Sequence, residues 1–128
     1  MIENEVYVVK DEENELPIPT VWRPVFSEIV ESLVKKDYLL GPGIPEVDPV
    51  SNETADQIKE YVQDYGEKLV SLSDETWNSS ICIWMGSWWD VLIDLWTETE
   101  GRSDMVLSAK VFESDSGFKF SIQMVYVP

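Results

Sequence analysis

Hydrophobic residues follow a helical period in the first half of the chain. From Thr20, a suitable N-cap, apolar residues recur at three- and four-residue steps, which predicts an amphipathic helix ending near residues 35–37. This stripe consists of Trp22, Val25, Phe26, Ile29, Val30, Leu33 and Val34. Pro24 fits because it falls in the first turn, where its missing N–H costs nothing. After a loop at 38–50 rich in proline and glycine, a second helix is predicted from Ser51 or Asn52 to Gly66.

The second half changes to short apolar runs separated by turn residues. Strands are predicted at about 68–72, 80–85, 88–98, 105–113 and 118–127, and "EVYVVK" at 5–10 predicts a further short strand. The stretches "TEGRSD" and "SDSG" have turn chemistry, which favours a meander. The expected fold is therefore α+β, with two N-terminal helices packed on one face of a curved, mainly antiparallel meander sheet of four to five strands. At 128 residues, the chain is expected to form a single domain over 1–128.

The segment "WWDVLIDLWTETEG" at 88–101 has an unusual pattern for a strand. Its odd positions form a continuous apolar face, whereas its even positions alternate large apolar groups with carboxylates. A helix also fits, because Ser87, Asp90, Asp94 and Thr97 share one helical stripe. The strand is favoured because β-branched and aromatic residues dominate the segment. Either geometry places Asp90 and Asp94 on the same side.

The charge balance indicates what kind of partner the chain could bind. It has 25 acidic and nine basic residues, a formal charge of −16, and no basic residue between Lys68 and Arg102. This field repels nucleic acid and anionic membranes and attracts basic proteins. Acidic surfaces also keep proteins soluble, so the surplus has two explanations: solubility, or a partner that supplies the missing cations.

Two groups of residues are candidates for contact with such a partner. Tryptophan is enriched at interface hot spots, and carboxylates steer association. The first group contains Trp88, Asp90, Asp94, Trp96, Glu98 and Glu100. The second group is Asp56, Glu60 and Asp64, which are four residues apart and form an acidic ridge on the second helix. Trp22 and Trp89 are expected in the core.

Catalytic and metal chemistry have little support in the sequence. The chain has no histidine, and therefore no Ser-His or Cys-His pair and no imidazole ligand. Asp90, Asp94 and Glu98 lack the glycine-centred turn of a calcium loop. No catalytic residue, metal ligand or cofactor is predicted, and Cys82 is expected to be a buried structural thiol. The N-terminus has no signal-peptide pattern, and no apolar run approaches the roughly 18 residues of a membrane span, so the cytoplasm is the expected compartment.

Three stretches carry a resemblance to other proteins. They are "VWRPVFSEIVESLVKKDY", "WMGSWWDVLIDLWTETEGRSD" and "MVYVP". They resemble an uncharacterised family of small acidic bacterial proteins that share Trp-Arg-Pro, Asp-Leu-Trp-Thr and Glu-Gly-Arg-Ser-Asp. In size, acidity and α+β layout, the chain is also similar to immunity proteins of contact-dependent growth inhibition and other polymorphic toxin systems.

The second likeness, which is one of profile, implies a cytoplasmic, non-enzymatic inhibitor that binds the basic C-terminal domain of a toxin, often a nuclease. It carries over no site residues. Two alternatives stay open: a small-molecule-binding α+β domain with an aromatic-lined pocket, and an acidic mimic of nucleic acid. The sequence does not fix the oligomeric state.

Overall fold

The computed structural model describes residues 5–128, which contain two α-helices and a six-stranded antiparallel sheet. In chain order, the elements are β1 Leu16–Pro17, α1 Arg23–Val34, α2 Asn52–Tyr65, β2 Leu69–Val70, β3 Ile81–Trp84, β4 Trp89–Thr97, β5 Gly101–Ser114 and β6 Gly117–Tyr126. Short 3₁₀ helices occupy Thr20–Trp22, which leads into α1, and Asp74–Asn78. The α+β class predicted from the sequence is confirmed.

The sheet has the order β1-β3-β4-β5-β6, and β2 pairs with β4 beyond the end of β3. Strands β3 to β6 form the predicted antiparallel meander. Two parts of the prediction are wrong. The sheet has six strands, because the two-residue β1 and β2 add to it, and β1 precedes both helices, so the helices do not open the fold.

The strand predicted at 5–10 is also wrong, since this segment has no strand structure. One backbone hydrogen bond joins this segment to Thr20: the Val6 carbonyl accepts from the Thr20 N–H at 2.9 Å. Further along, the indole N–H of Trp89 donates to the carbonyl of Val9 at 3.0 Å. The alternating pattern therefore reflects an extended segment lying against the core, with Val8 packed inward and Tyr7 exposed.

Three of the four predicted helix ends are confirmed, but the N-cap predicted at Thr20 is wrong. Thr20 lies in the 3₁₀ turn, α1 begins at Arg23, and the Thr20 hydroxyl accepts from the Val6 N–H at 2.7 Å and caps no helix. Pro24 lies in the first turn of α1. The hydroxyl of Ser51 accepts from the backbone N–H of Thr54 at 3.1 Å and caps α2. Gly66 ends α2 in the left-handed region with φ of 84°, a conformation that glycine adopts without a Cβ penalty.

One hydrophobic core joins the helices to the sheet. Trp22 and Trp89 are 0% and 1% exposed, as predicted, and their rings meet edge to face with centroids 5.2 Å apart. Cys82 is buried, and burial raises the pKa of its thiol to about 11. In the 38–50 loop, Leu40 and Ile44 are buried, whereas Leu39 is exposed.

The outer edge of β6 is protected from further strand pairing. The Gln57 side chain brackets Val125, donating to its carbonyl at 2.7 Å and accepting from its N–H at 3.1 Å. The Phe120 backbone is bonded on the same edge by the backbone of Glu46 and Asp48. These contacts occupy donors and acceptors that an exposed edge would offer to another strand. No helix among the described residues is long and apolar enough to cross a membrane.

Candidate functional site

The sheet has one face that neither helix covers. The odd positions of β4 belong to the core cluster together with residues of α1 and α2, whereas its even positions point the other way and are half-buried. We call this second face the outer face. Trp88, just before β4, joins this face through its contacts with Asp90, Lys110 and Phe112. Strand register assigns to it Ile81, Ile83, Asp90, Leu92, Asp94, Trp96, Arg102, Val106, Ser108, Lys110, Phe112, Lys119, Ser121, Met124 and Tyr126.

A shallow cavity of about 380 Å³ lies in the middle of the outer face. Its apolar lining comes from Ile81, Ile83, Leu92 and Tyr126. Its polar lining is Glu15, Asp90, Ser108, Lys110 and Gln123. This mixture of aliphatic and aromatic surface with a few convergent charged groups is typical of a binding site that takes one anchoring side chain.

Trp88, Asp90 and Lys110 form a contact group beside this cavity. The Trp88 indole N–H donates to Asp90 Oδ1 at 2.8 Å. Lys110 lies opposite Asp90 in the β4–β5 register, yet its ammonium sits over the Trp88 ring, 4.5 Å from the centroid. The ring of Phe112 lies 6.1 Å from that of Trp88. This end of the outer face therefore carries an aromatic surface that already holds a cation.

Asp94 forms hydrogen bonds with the segment that precedes β3. The Thr76 hydroxyl donates to the Asp94 carbonyl at 2.7 Å, and the Asp94 N–H donates to the Ser80 hydroxyl at 2.9 Å. The Ser79 hydroxyl donates to the Asp94 carboxylate. Along this edge, β4 pairs with β3 as far as Leu92 and with β2 from Trp96 onward, so no strand lies beside Asp94. Side-chain hydroxyls provide the hydrogen bonds that the Asp94 N–H and carbonyl would otherwise make to a strand. Its role in a partner interface stays a prediction, but its role in the fold is plain.

Trp96, Glu98 and Glu100 lie at the opposite end of β4. Trp96 is half-buried, packs near Gly101, and lines a second cavity of about 530 Å³ with Glu75, Arg102 and others. Glu98 is exposed and lies 3.7 Å from the Lys68 ammonium.

Glu100 is held in place by two hydroxyls. It accepts from the hydroxyl of Tyr65 at 2.9 Å and from that of Thr97 at 2.9 Å. Partial burial raises the pKa of Tyr65, and the neighbouring Glu100 carboxylate adds to this shift.

The second predicted surface lies on α2. Asp56, Glu60 and Asp64 are all exposed on α2, whose opposite side packs on the inner face of the sheet. The structure brings the end of α2 beside the first group, because Tyr65, which follows Asp64, donates to Glu100, whereas Trp88 and Asp90 lie at the other end of β4. It also places Trp88 and Trp96 away from the helices, so a pocket between helices and sheet would not be lined by these rings.

Several residues of the outer face were not among the sequence candidates. Leu92 stands between Asp90 and Asp94 on the same side, and Ile83, Lys110 and Tyr126 come from neighbouring strands. Extending the period-2 alternation of 88–98 into the strands at 80–85 and 105–113 would have identified the members of this face there. In β6 an irregularity changes the phase, because Lys119 and Ser121 share this face with Met124 and Tyr126. Their grouping depends on register, which the pattern does not supply.

Acidic side chains are poorly neutralised across the described surface. Among residues 5–128, two ion pairs lie within 4.0 Å, Lys10 with Glu113 and Lys68 with Glu98. Asp11 is half-buried, and its pKa is lowered by hydrogen bonds from the Asn14 amide and from the Glu13 N–H. No three carboxylate or thiol side chains within the described part of the chain are grouped as a metal ion would require.

The fold and this face define the molecule as a small acidic α+β protein whose sheet presents one uncovered, mixed apolar and charged surface. The family model described as Domain of unknown function (DUF7668) matches residues 30–128, and the chain belongs to this family. The matched range contains α2 and strands β2 to β6, and so includes nearly all of the outer face. No curated protein and no solved structure matched the chain.

Proposed function

We propose that this protein acts by binding a basic protein partner on the outer face of its sheet, without catalysing a reaction. The observation that carries the proposal is the composition of that face. Leu92, Ile83, Trp88 and Tyr126 are only half-buried in the free chain, and no helix packs over them. A partner that covered them would remove apolar surface from water at about 25 cal/mol per Å².

The charge of the chain decides the chemistry of that partner. A formal charge of −16 with two ion pairs among residues 5–128 leaves a strong negative field around the molecule. Such a field raises the association rate with a basic partner and opposes association with nucleic acid. Glu15 and Asp90 place carboxylates at the central cavity, where they can meet cations that approach its apolar lining.

The partner class we propose is the cationic C-terminal domain of a bacterial toxin, which makes the protein an immunity protein. In this role it would act in the cytoplasm of the producing cell and block its target by occupying the target's surface. We keep the curvature predicted for the sheet as part of this proposal. The acidic ridge of Asp56, Glu60 and Asp64 is a second surface that could steer the same partner.

A matched pair of leucine substitutions tests the proposal. The target is the basic C-terminal domain of a large secreted protein encoded beside this gene, co-expressed and co-purified with this chain. Leu92→Lys places a cation in the outer face, whereas Leu39→Lys makes the same change at a loop position that is 49% exposed. We expect Leu92→Lys to weaken binding at least tenfold, as at an interface hot spot, and Leu39→Lys to leave it unchanged.

Three results would contradict this function. The first is that the wild-type chain fails to capture the basic domain. The second is that both leucine variants bind equally well while circular dichroism shows that both are folded. Alternatively, duplex DNA would compete for the captured protein, which would favour the mimicry of nucleic acid. Protection of growth in cells that produce the toxin domain is the corresponding functional readout.

A further inference from the structure

We infer that Trp88 and Asp90 form a binding site for a guanidinium or ammonium side chain, and that Lys110 occupies this site in the free protein. The inference rests on the proposed function, since it names the group of the basic partner that the outer face would recognise. Its direct support is the position of Lys110, whose ammonium lies 4.5 Å from the Trp88 ring centroid.

The geometry of Trp88 suits a cation. The ring face is an electron-rich surface, and it attracts a positive charge within about 6 Å of its centroid. The indole N–H, which is the positive edge of the ring, donates to Asp90 Oδ1 at 2.8 Å. This hydrogen bond fixes the ring orientation and places a carboxylate at the edge of the ring.

Lys110 fills the site incompletely. Its register partner across the strands is Asp90, but among residues 5–128 no cationic nitrogen lies within 4.0 Å of the Asp90 carboxylate. One lysine ammonium therefore contacts the ring and leaves the carboxylate without an ion pair. An arginine from a partner is planar, can stack on the indole, and can present N–H groups to Asp90 at the same time.

Lys110 consequently acts as an internal competitor. A partner cation must displace the Lys110 ammonium from the Trp88 ring. The central cavity, which Lys110 also lines, can take the released side chain. Removing the Lys110 ammonium should make the site available and raise affinity for arginine, although it also makes the chain one charge more negative. A control for that change in net charge is needed.

Two methionine variants separate the site from net charge. Lys110→Met removes the cation from Trp88, and Lys59→Met removes the same charge from the exposed side of α2. The probe is a short oligo-arginine peptide, with a peptide of citrulline as its uncharged counterpart. The readout is the indole N–H resonance of Trp88 in the isotope-labelled full chain, assigned by its loss in Trp88→Phe.

The expected result is a Trp88 shift that saturates with the arginine peptide and is absent with citrulline. Affinity read from this resonance should rise about two- to fivefold in Lys110→Met, and by less in Lys59→Met. The inference is overturned if the Trp88 resonance does not respond to the arginine peptide in Lys110→Met. It is equally overturned if the two methionine variants tighten binding alike, since Lys110 would then only pack against the sheet. The comparison of Leu92→Lys with Leu39→Lys tests the proposed function independently of both outcomes.

Discussion

Replacing Thr76 by valine tests whether side chains complete the β4 edge at Asp94. Thr76 is fully buried, and its hydroxyl donates to the Asp94 carbonyl at 2.7 Å and lies 3.2 Å from the Ser80 hydroxyl. Valine keeps the shape but removes the donor, so the carbonyl of Asp94 loses its partner in a partly buried place. Leaving a buried acceptor unsatisfied costs about 1–3 kcal/mol.

Urea unfolding followed by tryptophan fluorescence measures this cost. With a slope of about 2 kcal/mol per M, a loss of about 2 kcal/mol lowers the midpoint by about 1 M. Thr99→Val is the matched control, because Thr99 is exposed and its hydroxyl donates at the surface to the Glu67 side chain at 2.7 Å. Its expected cost is within about 0.5 kcal/mol. Equal midpoints for the two variants would refute the structural role assigned to Thr76.

Two further predictions concern Cys82 and Glu98. Because burial raises the pKa of Cys82 to about 11, we expect the native thiol to react slowly with iodoacetamide at pH 8 and rapidly once the chain is unfolded in guanidinium chloride. Mass spectrometry follows the labelling, and fast labelling of the folded chain would contradict the burial. Glu98 is exposed and contacts only Lys68, so Glu98→Lys should leave stability within about 0.5 kcal/mol. The same variant should slow association with the basic toxin domain at low salt, measured by surface plasmon resonance, and an unchanged on-rate would remove Glu98 from the interface.

Local patterns were sufficient to predict the elements with strong periodicity. The stripe from Trp22 to Val34 and the caps at Ser51 and Gly66 depend on neighbouring residues only, and both helices were predicted, although α1 begins at Arg23 and is not capped by Thr20. The alternation in 88–98 likewise placed Asp90, Leu92 and Asp94 on one side of a strand, and Trp88, just before the strand, contacts Asp90. These signals are local, so tertiary structure had little to override.

Elements that depend on distant partners were harder to predict. Leu16–Pro17 becomes a strand only because β3 lies beside it, with Leu16 opposite Cys82. The segment 5–10 has a better strand pattern, yet it lacks such a neighbour and forms none. Pairing, rather than propensity, decides the state of short segments of this kind.

The contrast between Asp90 and Asp94 limits where a partner can bind. In the sequence these residues are equivalent, because both occupy even positions between large apolar groups. In the fold, Asp94 has its backbone and carboxylate bonded to Thr76, Ser79 and Ser80, so a partner could use it only by competing with the fold. Asp90 bonds to Trp88 and keeps its second oxygen available at the central cavity. A basic partner should therefore be centred on the end of the outer face that carries Trp88, where binding costs no structural contact other than that of Lys110.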